Sequence, residues 1–440
     1  MNKKLFYLLL FVGILSRIFL VFRLPIWHDE FYSIWAAQHT ILQIIHSVPD
    51  IVHPPGFYLI LHFWGLISTK LYWYRLFSVI AFTTNVFLVK KLAEKIGEDK
   101  YSLLLVFLYI FSGYFIIFDW QVRMYTPIDT LILSSILILS NLSSGRSNKK
   151  IIAWTTFTLI NFLGLYVDYA YVWYFVPAAI LCLGYFAFKR DSKFIYALYS
   201  FLISGALFVI SYPTILFGGL TGIRGIEWMA DYITPIFSVP FFLGSHTTQI
   251  FTLVFWILLM YGIYKFIRSR NYNFTVLVIV FSAILSTAAA LIYGYFFTPL
   301  FHFRSLQILG LMVILFYYFG LVGLPSKIKP YVISVVIFCF LTNFILVNGI
   351  IISSPGSVLI NYFPWRDILN STDLRGIKTV RYKIVEPLPT LMLLYGLKYT
   401  LEGNENFGRP SIQMMQYNQY DDNSGCIKFN DTLMELYKCK

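Results

Sequence analysis

The chain has 440 residues, of which 58% are hydrophobic and only 12% charged. That composition is too apolar for a water-soluble fold of this length, so soluble enzyme classes are excluded. The formal net charge of +13 invites a nucleic-acid reading, but no basic groove or nucleic-acid motif accompanies it, and the cations sit between apolar runs instead.

The opening Met1-Asn2-Lys3-Lys4 and the apolar run behind it imitate a secretory signal. No small-x-small cleavage site follows, so 5–24 is expected to stay as an uncleaved first helix. Apolar runs of membrane-crossing length then recur at 72–90, 101–118, 124–141, 151–167, 170–188, 195–217, 247–265, 274–296, 305–323 and 331–352. The chain therefore reads as a polytopic α-helical membrane protein with about 11 transmembrane helices. Pro54–Ile67 is too short to cross comfortably and starts with two prolines. Together with 31–46, which carries Phe31, Ile34 and Trp35 beside Gln38 and His39, it is expected to form interfacial helices within a first outer loop, 25–71. A second long outer loop, 218–246, opens on glycines and then carries Trp228, Tyr232, Phe237, Phe241 and Phe242. Two readings stay open for it, a flap over a lipid substrate and an aromatic belt resting at the interface.

Charge assigns the sides. One set of span ends holds 17 Lys and Arg residues, among them Lys3, Lys90, Lys95, Lys149, Arg190 and Arg268, against 6 on the other: Arg23, Lys70, Arg75, Arg123, Arg224 and Arg304. The positive-inside rule then puts the N-terminus in the cytosol and the C-terminus outside, in a cell membrane. Beyond residue 352 the chain turns polar. Val380–Val385 alternates like a strand, Leu388–Leu397 reads as a helix and Cys426–Phe429 as another strand. This predicts a transmembrane domain over 1–352 and a small C-terminal α/β extracytoplasmic domain over 353–440. Cys182 and Cys339 fall in apolar spans and read as packing residues. Cys426 and Cys439 lie in the polar tail, where spacing alone leaves a disulfide undecided. Asn370-Ser371-Thr372 and Asn430-Asp431-Thr432 are glycosylation sequons on the outer side.

Acids are scarce, 21 Asp and Glu in all, yet Asp29 and Glu30 stand side by side where the first span ends. Asp29, Glu30, His53, Arg75, Asp119, Gln121, Arg123, Tyr125, Asp168, His302 and Arg304 all fall at outer span ends, the side that lacks the orientation charges. Ionisable groups at membrane depth are functional-site candidates by default. Carboxylates near guanidiniums beside a lipid phase suit transfer of a group from a lipid-linked phosphate. The acid takes a proton from an acceptor hydroxyl, and Arg holds a phosphate through paired hydrogen bonds as charge grows on the leaving oxygen.

These residues also resemble a family. Trp27-His28-Asp29-Glu30, His53-Pro54-Pro55 and Arg75-Leu76-Phe77-Ser78 look like segments of the protein mannosyltransferase and aminoarabinose transferase superfamily of GT-C glycosyltransferases. Asp119-Trp120-Gln121-Val122-Arg123-Met124-Tyr125 is similar to that family's Gln-Glu-Ala-Arg-Met-Tyr. Gly164-Leu165-Tyr166-Val167-Asp168-Tyr169 is similar to its Gly-Leu-Tyr-x-His-Tyr. His302-Phe303-Arg304 opens a late span where the family carries Arg-Tyr, and Trp365-Arg366-Asp367 resembles the start of its extracytoplasmic part. Gln121, Val122, Asp168 and Phe77 depart from the pattern; Asp168 for His puts any metal or phosphate role of that position in doubt.

The resemblance implies a GT-C fold and a glycosyltransferase that takes a sugar from a polyprenyl-phosphate donor (dolichyl or undecaprenyl) to an acceptor hydroxyl, with inversion. Asp29 is then the general base, against a helix cap or a partner for Arg23. Glu30 orients Asp29, binds a cation or balances an arginine. Arg123 and Arg304 hold the donor phosphate, against an ion pair with Asp119 for the first and snorkelling for the second. His53, His302, Tyr125, Tyr166 and Asp168 are candidates for contact with donor phosphate or sugar, with loop fixing, packing or pairing to an outer Arg as their rivals. Arg17, inside the first span, either meets the lipid phosphate or snorkels. Arg can stabilise a monophosphate leaving group alone, so a divalent cation is optional. The acceptor is a protein, lipid or glycan. The rival class is a transporter or flippase of lipid-linked saccharides, which should show midplane polar groups or internal repeats.

Overall fold

The computed structural model describes residues 2–24, 26, 28–46, 53–97, 101–145, 150–213, 249–269, 273–296, 307–353, 379–382, 400–402, 426–431 and 434–439. The helix α1 (Lys3–Arg23) is started by Asn2, whose side chain accepts the Leu5 amide at 3.3 Å, supplying one of the donors that a helix start leaves unpaired. Leu24 ends it in extended backbone just before Pro25, a residue whose predecessor avoids helical angles. The expected interfacial helix 31–46 is two helices, α2 (His28–Ala37) and α3 (Ile41–His46), broken at 38–40. Pro54–Ile67 folds as α4 (Gly56–Gly65), beginning directly behind the two prolines.

The helix α5 (Leu71–Ile96) follows, held to α4 by a tryptophan clasp. Trp64 and Trp73 stack at 4.7 Å, and each indole N–H donates to the other's carbonyl, at 2.8 and 2.9 Å. Next come α6 (Ser102–Ile110) and α7 (Gly113–Phe118), where the sequence predicts one span over 101–118. The break falls at Phe111-Ser112, and nearly every side chain of both pieces is buried. Interrupted backbone is tolerated at membrane depth when protein surrounds it, and here α1, α5, α8 (Tyr125–Ser143) and two later helices do so.

The remaining helices are α9 (Lys150–Val167), α10 (Val172–Phe188), α11 (Lys193–Ser211), α12 (Gln249–Ser269), α13 (Phe274–Phe296), α14 (Gln307–Val322) and α15 (Lys329–Ser353). Each of the eleven expected spans thus carries helix. Among the described residues, seven helices are long and apolar enough to cross a membrane by length and composition, and the apolar helix 307–322 is shorter. The chain is a multi-pass helical membrane protein. Its core runs through α6, α8 and α14, the last buried on almost every face, as a helix without a polar stripe must be. α12 and α14 approach so closely that a Cβ on Gly262 would lie 1.8 Å from the Phe316 carbonyl oxygen. Between α8, α9 and the start of α10, the Tyr174 hydroxyl donates to Ser135, Ser135 to Asn161, and the Tyr171 hydroxyl to Asn161, at 2.9–3.2 Å.

Among the described residues, four strands form one sheet in the order β2-β1-β4-β3: β1 (Thr379–Tyr382), β2 (Thr400–Glu402), β3 (Cys426–Asp431) and β4 (Met434–Cys439). β1 is parallel to β2 and antiparallel to β4, and β3–β4 is an antiparallel pair with Cys426 opposite Cys439 in register. The expected helix 388–397, the outer loop 218–246, His302 and Arg304 lie outside the described residues.

Candidate active site

The site is built on residues 119–124, which join α7 to α8 without regular structure and are all buried. A buried irregular segment needs partners for its backbone polar groups, and three helices supply some of them. Asp119 accepts from Arg17 of α1, at 3.3 Å from Nε and 2.9 Å from Nη2, and from the Thr126 hydroxyl. Ser78 of α5 donates to the Gln121 carbonyl. Glu30 of α2 accepts the Val122 amide at 2.9 Å.

Two of the three buried arginines, Arg17 and Arg75, are spent on this frame. Arg17 is 0% exposed, donates also to the Ile110 carbonyl at 2.8 Å, and lies over the Phe82 ring at 4.1 Å. It therefore neither snorkels nor reaches toward lipid, because Asp119 supplies its counter-charge inside the protein. The rival reading that paired Asp119 with Arg123 is corrected by the same contact. Burial pushes the Asp119 carboxyl up to about 6, with Arg17 pulling the other way. Arg75 forms a fork onto Glu30, 2.8 Å from Nε and 2.6 Å from Nη2, and its Nη1 takes the Val21 and Leu24 carbonyls at the end of α1. Those carbonyls are among the acceptors a helix end leaves unpaired. Arg75 thus ties α1, α2 and α5 together, and of the three roles open to Glu30 the geometry matches the balancing of an arginine.

Arg123, held by this frame, faces a different set of groups. Its Nη1 donates to the Ser33 hydroxyl at 3.0 Å and the Asp29 carbonyl at 3.3 Å. Its Nη2 lies 3.0 Å from His53 Nε2 and 4.0 Å from the Asp29 carboxylate. The guanidinium is 6% exposed and the Asp29 carboxylate 20%, so the acid is the more open partner. Tyr125 presents its ring to Arg123 at 5.8 Å. Asp29 and Glu30 open α2, where the helix dipole favours negative charge.

His53 completes the cluster. Its Nδ1 lies 3.2 Å from Asp168 Oδ1, an oxygen that also accepts the Ala170 amide at 3.0 Å. Asp168 caps the short 3-10 turn Tyr169–Tyr171. Close backbone contact brings the two together: a Cβ on Gly56 would stand 2.2 Å from the Tyr166 carbonyl oxygen, so only glycine lets the segment behind His53 lie on the end of α9. Asp29, His53, Arg123, Tyr125 and Asp168 therefore form one cluster, with Glu30 behind it. The Tyr166 ring stacks on Phe162 at 5.6 Å, and its carbonyl marks the seat of Gly56. Among the described residues, no three His, Cys, Asp or Glu side chains group as metal ligands. Sequence reasoning passed over Ser33, whose only signal was its place one helical turn beyond Asp29. It also missed the structural parts of Arg17 and Ser78.

These features define a polytopic membrane protein with a cluster of acid, guanidinium and imidazole groups held between helix ends. No protein-family profile and no curated protein matches the sequence. Among solved structures, the chain is similar to the archaeal oligosaccharyltransferase AglB from Archaeoglobus fulgidus in complex with an inhibitory peptide and a dolichol-phosphate, with 10% identity and a TM-score of 0.48. It is similar also to the Archaeoglobus fulgidus oligosaccharyltransferase in the apo form, with 11% identity and a TM-score of 0.47, and to the same enzyme tethered to an acceptor peptide containing the NVT sequon, with 12% and 0.42. Each match covers 79% of this chain. The chain spans about half the length of those proteins, 56%, 56% and 55%.

Proposed function

We propose that this chain is a GT-C-type membrane glycosyltransferase that moves a sugar from a polyprenyl-phosphate donor to an acceptor hydroxyl at the extracytoplasmic membrane face. The observation that carries the reading is the pairing of the partly open Asp29 carboxylate with the nearly buried Arg123 guanidinium, 4.0 Å apart. A base and a phosphate-binding cation are thereby adjacent, as a single displacement at an anomeric carbon requires. Asp29 takes the proton from the acceptor hydroxyl while its oxygen attacks the anomeric carbon. The bond from that carbon to the phosphate oxygen breaks with inversion, and polyprenyl phosphate leaves with its charge held by Arg123 and, from a late span, Arg304. Glu30 acts behind this pair: held by Arg75, it accepts the Val122 amide and so anchors the segment that carries Arg123. The sugar acceptor is a protein, lipid or glycan.

The test is incubation of the purified full chain in lipid nanodiscs with polyprenyl-phosphate sugars and candidate acceptors. Release of polyprenyl phosphate coupled to sugar transfer is expected. Donor translocation without cleavage would instead support the flippase class. Asp29→Asn should abolish transfer while donor binding is largely kept; turnover at the wild-type rate would remove Asp29 as the base.

A further inference from the structure

We infer that Asp168 and His53 act as a positioning pair for Arg123: Asp168 selects the imidazole tautomer that lets His53 accept a hydrogen bond from the guanidinium. The inference deepens the reading of this site as a phosphate-binding one and rests on it for its kinetic consequence. The geometry itself is independent of substrate.

A guanidinium carries only N–H donors and no acceptor. At 3.0 Å from Arg123 Nη2, His53 Nε2 must therefore present its lone pair. In a neutral imidazole the proton then resides on Nδ1, and that nitrogen is 3.2 Å from Asp168 Oδ1, a carboxylate that can only accept. The opposite tautomer would set N–H against N–H at Arg123 and a lone pair against the carboxylate at Asp168. The partner of one ring nitrogen thus decides what the other can do. Asp168 is itself fixed, since the same oxygen takes the Ala170 amide and its side chain is 4% exposed.

The consequence falls on Arg123. Ser33 and the Asp29 carbonyl hold Nη1, and His53 holds Nη2, so the plane of the guanidinium is set from both ends. Paired recognition of two phosphate oxygens depends on that plane. The sequence departs from the resembled family at this very position, with Asp168 for His, and a carboxylate is the side chain that writes the tautomer without ambiguity. His53 and Asp168 are then positioning residues rather than groups that touch the donor.

Two measurements on the full chain in nanodiscs test this. The first is nitrogen NMR of the histidine-labelled protein at pH 8, with the His53 signals identified by their loss in His53→Gln. The expected result is a protonated Nδ1 and an unprotonated Nε2, with the bias relaxed in Asp168→Ala. A proton on Nε2 in the wild type, or an Asp168→Ala spectrum unchanged from it, would overturn the inference. The second is the Michaelis constant for a polyprenyl-phosphate sugar. His53→Gln places an amide oxygen near the Nε2 position and keeps an acceptor for Arg123, whereas His53→Asn reaches only to Nδ1. His53→Asn and Asp168→Ala should raise the donor KM by roughly ten- to hundredfold, the worth of a hydrogen bond to a charged group, with the smaller change in kcat. His53→Gln and Asp168→Asn should fall between these and the wild type. Equal KM for Gln and Asn at position 53 would refute the positioning role. A wild-type chain that transfers no sugar would sink the transferase reading, while the NMR spectrum would still decide the tautomer.

Discussion

Replacing Arg75 with methionine should be among the most damaging single changes outside the reacting groups. Arg75 and Glu30 are both 0% exposed and meet at 2.6 and 2.8 Å. Removing the cation leaves a carboxylate buried without its counter-charge, which costs about 3–5 kcal/mol. Two carbonyls at the end of α1, Val21 and Leu24, lose the same donor, adding roughly 1 kcal/mol or more apiece. Neutralising the acid as well, in Glu30→Gln with Arg75→Met, relieves the larger part, so the double variant should be more stable than Arg75→Met alone. The Val122 amide is anchored on Glu30 one residue before Arg123, so donor binding should weaken in step with stability. Thermal unfolding in detergent, read by circular dichroism for both single variants and the double, gives the coupling directly. An Arg75→Met protein within about 0.5 kcal/mol of wild type, the range of a surface substitution, would refute the view that this pair frames the site.

Arg123→Ala should mainly weaken donor use, seen as a raised KM for the polyprenyl-phosphate sugar; an unchanged donor dependence would count against its phosphate role. Gly56→Ala forces a Cβ to 2.2 Å from a backbone oxygen, so the segment must shift; about 1–3 kcal/mol of stability should be lost, together with the His53–Asp168 contact in the nitrogen spectrum. Asp119 holds its proton up to about 6 in the folded chain, against an ordinary 3.8. The folded form therefore binds that proton more tightly than the unfolded one. The stabilisation is complete below about pH 4 and is lost as pH rises to about 6. Unfolding midpoints across that window should show the fall in wild type, and Asp119→Asn should remove it.

Long apolar runs announce helices because lipid offers the backbone no partners, so length and hydropathy alone locate them. That is why helix occupies each expected stretch, and why α4 begins directly behind the Pro54-Pro55 pair. The break within 101–118 was not legible, since Ser112-Gly113 is a mild signal in an apolar run and the break is tolerated only because other helices enclose it. Asp29, Arg123, His53 and Asp168 could be picked out as ionisable residues at span ends. What each touches could not: Arg17 and Asp119 are 102 residues apart, Arg75 and Glu30 45, and His53 and Asp168 115. Charge in an apolar chain must find a counter-charge, and the sequence by itself determined that such pairs exist. Which acid meets which base is set by how helix ends converge in space, and only the tertiary structure decided that Asp119 belongs to Arg17, Glu30 to Arg75, and that Arg123 faces Asp29 and His53.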